Sequence, residues 1–166
     1  MRFFLRPATR DDAPAIMAIY AHHVLTGTGT FELEAPDMGE IEARMDKIAQ
    51  RQCPWLVAYD GQNQVVGYAY AGAFRERPAY DHTVEDSIYV APEAVGYGIG
   101  RALLVELMAQ CSKAGFSQML AVIGDSANHA SIGLHRSLGF SDVGILRDVG
   151  QKFGRLLDVV ILQKSL

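Results

Sequence analysis

Three glycines fall within five residues, at Gly96, Gly98 and Gly100, between a β-rich segment and a helix-like segment. The segment before them, "TVEDSIYV" at 83–90, has the composition of a strand. The segment after them, which runs to about residue 113, carries apolar residues at helical spacing. The turn therefore joins a strand to a helix, and such a unit favours a layered fold with helices packed on a sheet.

The rest of the chain also contains both strands and helices. "FFLRPAT" predicts a short strand, and Thr9 is a candidate N-cap for a helix that runs to about His23. The later segments are a helix from about 38 to 51, a hairpin of "WLVAYD" and "VVGYAYAGAF", a strand "QMLAVIG", a helix "NHASIGLHRSL" and two final strands. We predict an α/β (α+β) fold with a mixed, mostly antiparallel sheet flanked by helices, in a single domain spanning 1–166.

Composition narrows the classes of partner. The net charge of −4 argues against a nucleic-acid-binding protein, which needs clustered Lys and Arg. No apolar run is long enough to span a membrane, and the first residues have too short an apolar core for a signal peptide, so we expect a cytoplasmic protein. Cys53 and Cys111 form no CxxC motif, which indicates neither a metal site nor a redox centre. A small-molecule partner is the remaining expectation.

The glycine turn has the features of a diphosphate site, although a purely structural turn is the alternative. A helix N-terminus presents free N–H groups, and glycine allows the backbone to approach a ligand closely. The dinucleotide motif GxGxxG fails because Leu103 stands at the third glycine position. The Walker motif fails because Arg101 and Ala102 follow Gly100 in place of Lys and Ser or Thr.

The turn instead resembles the acyl-CoA loop of the GNAT acetyltransferase superfamily, (Gln/Arg)-x-x-Gly-x-(Gly/Ala). Gly98 and Gly100 match its last two positions, whereas Val95 stands where Arg or Gln is usual. The segments "NHASIGLHRSLGF", "TVEDSIYV", "FRERPAY" and "VGQKFGRLLDVVILQKSL" are similar to the phosphinothricin and methionine-sulfone acetyltransferase branch. The resemblance extends over nearly the whole chain.

This resemblance implies an N-acetyltransferase that moves an acetyl group from acetyl-CoA to the α-amine of a small amino acid analogue such as phosphinothricin, methionine sulfone or methionine sulfoximine. Direct attack in a ternary complex is expected, because no cysteine lies in the motifs to form an acetyl-enzyme. Homodimers are common in the family. Two alternatives stay open: acetylation of protein N-termini or other amines, and a non-catalytic CoA-binding sensor, which the unusual Val95 suggests.

Two catalytic residues follow from the resemblance. Glu85 matches the family's general base, and the alternative is a solvated or ion-paired strand carboxylate. Asp86 is its neighbour, but strand alternation turns the two side chains to opposite faces, so only one should reach the amine. His135 stands where many relatives have a tyrosine that protonates the departing sulfur, and the alternative is a packed or surface histidine.

The resemblance also implies contacts to acetyl-CoA. The strand backbone would hold the pantetheine arm, and the N–H groups of the turn would hold the diphosphate. Asn128 and Ser131 lie on the same helical stripe as His135. Asn128 has a helix cap as its alternative role, and Arg101 a solvated position. The predicted cofactor contacts are Ile88, Tyr89, Val90, Gly96, Tyr97, Gly98, Ile99, Gly100, Arg101, Asn128 and Ser131.

An acceptor site is expected from "AFRERPAYDHTVED". Arg75 and Arg77 can grip a carboxylate or a phosphinate in a forked, bidentate manner, and a solvated loop is the alternative. Phe31 corresponds to an aromatic wall in similar proteins. The predicted substrate contacts are Phe31, Arg75, Glu76, Arg77, Tyr80, Glu85, Asp86 and Ser87.

Overall fold

A seven-stranded sheet with four α-helices forms the structure, a computed structural model that describes residues 1–166. The strands are β1 (Phe3–Pro7), β2 (Trp55–Asp60), β3 (Val65–Ala73), β4 (Thr83–Val90), β5 (Gln118–Gly124), β6 (Ser141–Lys152) and β7 (Arg155–Ser165). The helices are α1 (Ala13–Thr26), α2 (Met38–Gln50), α3 (Ile99–Lys113) and α4 (His129–Ser137). The strand order is β1-β2-β3-β4-β5-β7-β6, and only β4 and β5 pair in parallel. The predicted mixed, mostly antiparallel sheet is confirmed.

Helix α1 differs from its predicted bounds at both ends. Its start is delayed by a 3₁₀ turn, because the Asp12 carboxylate accepts from the Thr9 backbone N–H at 2.8 Å and pairs with Arg6 at 2.7 Å. Its end lies beyond His23, since the Gly27 N–H still donates to the His23 carbonyl at 3.0 Å. Side-chain contacts of Asp12 thus set the start of the helix, and a backbone hydrogen bond of Gly27 marks its end.

The helices cover both faces of the sheet. A Cβ added at Gly67 would meet Ile99 of α3 at 3.1 Å, and one added at Gly72 would meet Ile48 of α2 at 3.4 Å. Because odd and even strand residues point to opposite faces, α2 and α3 lie on opposite sides of β3. Helix α1 lies on the same face as α2, because its Tyr20 packs on Tyr89 of β4. Helix α4 lies on the same face as α3, because its His135 contacts Asp86 of β4. We refer to these as the α1/α2 face and the α3/α4 face.

Burial of α3 against the sheet supplies much of the core. Leu103, Leu104 and Leu107 are completely buried, as are Met119 of β5 and Leu162 of β7. Each such side chain contributes about 1.5–3 kcal/mol when it leaves water. The packing fixes the start of α3 against the end of β4, where a Cβ added at Gly100 would lie 3.8 Å from the Val90 side chain.

Strands β4 and β5 pair only near their starts. Their register joins Thr83–Glu85 to Gln118–Leu120 and ends there. β4 continues to Val90 against β3, and β5 continues to Gly124 against β7. The two strands therefore separate beyond Glu85, and their facing edges have no strand partner.

None of the four helices combines the length and the apolar character required to cross a bilayer. No group of three or more His, Cys, Asp or Glu side chains is placed to hold a metal ion.

Candidate active site

A cleft with a volume of about 770 Å³ opens where β4 and β5 separate. This volume suits a small-molecule ligand or cofactor. The cleft is bordered by β4, the glycine turn, the start of α3, β5 and α4. The sequence-predicted residues that line it are Asp86, Ser87, Ile88, Tyr89, Val90, Gly96, Gly98, Ile99, Gly100, Arg101, Asn128, Ser131 and His135.

The glycine turn presents backbone donors to this cleft. Gly96 and Gly98 have φ values of +89° and +80°, in the left-handed region that favours glycine. Gly98 is the N-cap of α3, and the first helical bond runs from the Ala102 N–H to its carbonyl at 3.0 Å. The N–H groups of residues 99–101 therefore lack helical partners at the positive end of the helix dipole. This arrangement can bind a diphosphate.

Glu85 lies at the point where the two strands part, on the α1/α2 face. It pairs with Gly72 across β3–β4, and directly paired residues share a face. Burial, with the negative charge of Asp86 as a second cause, raises the pKa of Glu85 to about 7. A carboxyl with this pKa is well matched to take a proton near neutral pH.

Four tyrosines cluster on the same face as Glu85. Tyr89 lies 4.9 Å from Tyr20 and 5.4 Å from Tyr68, and Tyr68 lies 6.5 Å from Tyr70, between ring centroids. Burial raises the pKa of Tyr68 and of Tyr89 well above the usual value, so both phenols stay neutral. The cluster gives this face a rigid aromatic surface with hydroxyl groups.

Asp86 points to the α3/α4 face, and its predicted orientation opposite Glu85 is confirmed. Its Oδ2 accepts from His135 Nε2 at 2.9 Å, and both side chains are almost fully buried. His135 Nδ1 donates to the Ser131 carbonyl at 2.7 Å. Burial alone would lower the pKa of His135, but the hydrogen bond and charge of Asp86 outweigh it, and the pKa is raised. Both ring nitrogens therefore have protein partners.

The start of α4 is capped by Asn128. Its side-chain oxygen accepts from the Ser131 N–H at 3.2 Å. The helix-cap alternative for Asn128 is thus confirmed, while the residue also lines the cleft.

A loop between α1 and α2, residues 27–32, forms another wall. Gly27, Thr28 and Gly29 line the cleft, and Thr28 Oγ1 donates to Asp125 Oδ2 at 2.6 Å. The ring of Phe31 packs so closely on Gly124 and Gly150 that a Cβ at either position would overlap it. Buried Lys152 fixes the loop further by donating to the Thr30 carbonyl at 2.9 Å.

Comparisons with known proteins identify the family. Residues 5–161 match the family described as "Acetyltransferase (GNAT) domain". The chain belongs to the GNAT acetyltransferase family. It is 49% identical to a phosphinothricin N-acetyltransferase of Alcaligenes faecalis over 98% of this chain and 82% of the relative. It is 40% identical to an L-methionine sulfoximine/L-methionine sulfone acetyltransferase of Pseudomonas aeruginosa over 98% of this chain and 94% of that protein.

A solved structure gives the same result. The crystal structure of a GNAT superfamily phosphinothricin acetyltransferase from Sinorhizobium meliloti, in complex with AcCoA, superimposes with a TM-score of 0.97. It is 46% identical, and the match covers 100% of this chain and 89% of that chain. The predicted family and fold are confirmed. Its relatives are N-acetyltransferases, which identifies the chain as an enzyme of this kind.

The arginine-containing loop before β4 does not reach the cleft of this acetyltransferase chain. Arg75, Glu76 and Arg77 are exposed, and Glu76 pairs with Lys47 at 3.1 Å. The Arg75 guanidinium lies 5.1 Å from the ring centre of Phe74. In the single chain these three residues form a solvent-exposed loop, as the alternative interpretation expected. Their role in substrate binding stays a prediction.

Tyr80 and Tyr97 are also exposed, at 38% and 51%, and neither lines the cleft. Their predicted roles in binding substrate and cofactor likewise stay predictions.

Several residues of the site were missed in the sequence. His23, which the sequence analysis did not place in any site, lines the cleft and donates from Nε2 to the Val90 carbonyl at 2.9 Å. Burial lowers the pKa of His23, so the ring is neutral near pH 7. The glycine-rich segment "LTGTGT" indicates a loop, but the sequence does not show that this loop lies beside the cleft. The alternation of Tyr68 and Tyr70 in "GYAYAG" was the available signal for the aromatic cluster.

Proposed function

We propose that this chain transfers the acetyl group of acetyl-CoA to the α-amine of a small amino acid whose side chain has an oxidised or tetrahedral head. Phosphinothricin, methionine sulfone and methionine sulfoximine are the candidate acceptors, because the Alcaligenes and Pseudomonas relatives are named for them. The observation that carries the proposal is the cleft that opens between β4 and β5, with Glu85 at the point where the two strands part.

The donors around the cleft fit acetyl-CoA. The free N–H groups at the start of α3 suit its diphosphate, and Arg101 adds a positive charge at the same helix start. The unpaired edge of β4 over 88–90 suits the amide groups of the pantetheine arm. When bound, acetyl-CoA supplies an acyl thioester that an uncharged amine can attack.

Glu85 is proposed to accept the proton of that amine. An α-amino group has a pKa of about 8 and is largely protonated at neutral pH. A Glu85 pKa of about 7 leaves the carboxylate available and close to the amine in proton affinity. The neutral phenols of Tyr70 and Tyr89 place no competing charge beside it.

Direct attack in a ternary complex is proposed because the chain offers no suitable thiol. Cys53 and Cys111 are both buried, and neither lines the cleft. Burial raises the pKa of Cys111 to about 12, which keeps that thiol protonated. An acetyl-cysteine intermediate is therefore disfavoured.

His135 is proposed as the source of the proton for the leaving sulfur. The Asp86 carboxylate raises its pKa and so favours the protonated ring, and His135 borders the cleft. Donation requires one of its two hydrogen bonds, to Asp86 or to Ser131, to open first.

One observation favours a second candidate, acetylation of protein N-termini. Arg75 and Arg77 face solvent, where they can meet an acidic or flexible peptide as readily as a small oxyanion. In the first candidate the same guanidinium groups grip the carboxylate of the amino acid or a phosphinate head.

A homodimer is proposed through β6. The apolar last strand, β7, lies inside the sheet between β5 and β6, so β6 is the free edge. Val143, Ile145, Leu146 and Val149 of β6 are 44–56% exposed, and a long edge strand with exposed apolar side chains pairs readily with a second copy. Sedimentation velocity should show a dimer for the wild type and a monomer for Ile145→Glu. A monomeric wild type contradicts this part of the proposal.

We further propose that residues 1–166 act as one domain in the cytoplasm. The free state of Cys53 and Cys111 is compatible with a reducing compartment.

The test of function is a CoA-release assay over a panel of acceptors. It includes phosphinothricin, methionine sulfone, methionine sulfoximine, unmodified methionine and a peptide with a free N-terminal alanine, and Glu85→Gln is the matched variant. The proposal predicts the highest kcat/KM for one of the three analogues. A preference for the peptide selects the second candidate, and binding of acetyl-CoA without release for any acceptor indicates a sensor.

A further inference from the structure

Asp86 has an oxygen that nothing in the protein satisfies. Its side chain is only 3% exposed, and Oδ2 is occupied by His135. Oδ1 is buried without a hydrogen-bond partner. A buried acceptor, above all a charged one, costs free energy when it is left unpaired.

No neighbouring protein group donates a hydrogen bond to Oδ1. His135 already bonds Oδ2 through Nε2, and its other ring nitrogen, Nδ1, is paired with the Ser131 carbonyl. Glu85 points to the opposite face of the sheet, so the acceptor amine beside Glu85 lies on the wrong side for Oδ1. Asp86 lines the cleft, so a molecule bound there can supply the donor.

The position of Asp86 selects one end of that molecule. Asp86 is the first residue of β4 beyond the last β4–β5 pair, Glu85 with Leu120, at the inner end of the cleft. The glycine turn, with its diphosphate donors, lies at the outer end, beyond Val90. A coenzyme A arm that extends inward from this turn reaches Asp86 with its cysteamine end. That end has an amide N–H, and in the free thiol form also an S–H.

We propose that Asp86 Oδ1 accepts a hydrogen bond from the cysteamine end of coenzyme A and so positions the sulfur. The contact is made by a side chain, in addition to the backbone contacts of β4, and it rests on the proposed function. Asp86 is thereby assigned to the cofactor, not to the acceptor amino acid. The pairing with His135 holds the carboxylate in the orientation that leaves Oδ1 free.

Calorimetric binding measurements test this assignment without turnover. The main variant is the double substitution Asp86→Val and His135→Phe, which removes the acceptor and leaves no unpaired buried charge. Asp86→Asn keeps an acceptor oxygen and can donate to His135. His135→Gln keeps a donor for Oδ2. The ligands are acetyl-CoA, CoA, desulfo-CoA and adenosine 3′,5′-bisphosphate, which lacks the pantetheine arm.

The expected result is a loss of binding affinity for the ligands that carry the cysteamine end of coenzyme A. The double variant binds the ligand that uses Oδ1 about 10- to 100-fold more weakly, as expected for a lost hydrogen bond to a charged group. Equal losses for acetyl-CoA, CoA and desulfo-CoA identify the amide N–H as donor, and a loss for CoA alone identifies the S–H. Asp86→Asn and His135→Gln stay within about 5-fold of the wild type, and the bisphosphate is unaffected.

Four results overturn the assignment. The first is that the double variant binds every ligand as tightly as the wild type. The second is that its affinity for the bisphosphate falls as much as its affinity for acetyl-CoA. Alternatively, Asp86→Asn or His135→Gln loses as much affinity as the double variant. If the wild type itself gives no binding heat with acetyl-CoA, the proposed function fails, which is a separate outcome.

Discussion

Replacing Glu85 with Gln should stabilise the fold at high pH. The folded-state pKa is about 7, against an ordinary value of 4.5, because the carboxyl is buried beside Asp86. Folding therefore favours the protonated form. The wild type has this contribution in full below pH 4.5 and loses it as pH rises through 7.

The size of the effect follows from the shift. The pKa of Glu85 is about 7 in the folded protein and 4.5 ordinarily, a difference of about 2.5. At about 1.4 kcal/mol per pKa unit, this difference changes the free energy of unfolding by about 3 kcal/mol. Glutamine has no charge to bury, so Glu85→Gln avoids this loss. The free energy of unfolding of the variant, relative to the wild type, should rise by about 3 kcal/mol between pH 4.5 and pH 9.

Urea unfolding at pH 4.5, 7 and 9 measures this difference. Trp55 is the single tryptophan and is buried, so its fluorescence reports the loss of the core. Glu34→Gln, at an exposed position, is the matched control and should show no comparable pH trend. A stability difference between Glu85→Gln and the wild type that is the same at all three pH values would refute the reasoning about Glu85.

Three other substitutions test separate parts of the site. Gly98→Ala should weaken acetyl-CoA binding about 10-fold, since a Cβ at φ +80° costs about 1–2 kcal/mol in the conformation of the turn. The control is Gly115→Ala, at φ +96° and away from the cleft, which should lower Tm without changing the Kd for acetyl-CoA. Gly150→Ala should lower stability by about 1–3 kcal/mol, because its Cβ overlaps an aromatic ring; an unchanged urea midpoint contradicts this. Arg75→Ala and Arg77→Ala should each raise the KM for methionine sulfone and leave the KM for acetyl-CoA unchanged; an unaltered acceptor KM in both rejects the arginine grip.

Local sequence patterns were enough to predict the elements around the cleft. Strand β4 and helix α3 have the expected bounds, because β-rich composition, a left-handed glycine turn and helical apolar spacing all act over short distances. The opposite orientation of Glu85 and Asp86 followed from strand alternation alone.

The remaining features depend on contacts between distant segments. The Asp86–His135 pair joins β4 to α4, and His23 reaches Val90 from α1, so neither shows in a local pattern. Pairing order also decides which strand is the edge, and here the less apolar β6 covers the apolar β7. Arg75 and Arg77 are exposed, whereas their own sequence was compatible with either a substrate grip or a solvated loop.

The pH dependence of kcat/KM for methionine sulfone, in the wild type and in Glu85→Gln, tests most directly whether Glu85 accepts the amine proton. Glu85 must be ionised to act, so wild-type kcat/KM should rise tenfold per unit below about pH 7, and above it should change only with the ionisation of the amine. The variant should lack this limb and follow only the ionisation of the amine. A limb near pH 7 that persists in Glu85→Gln would contradict the assignment of the base.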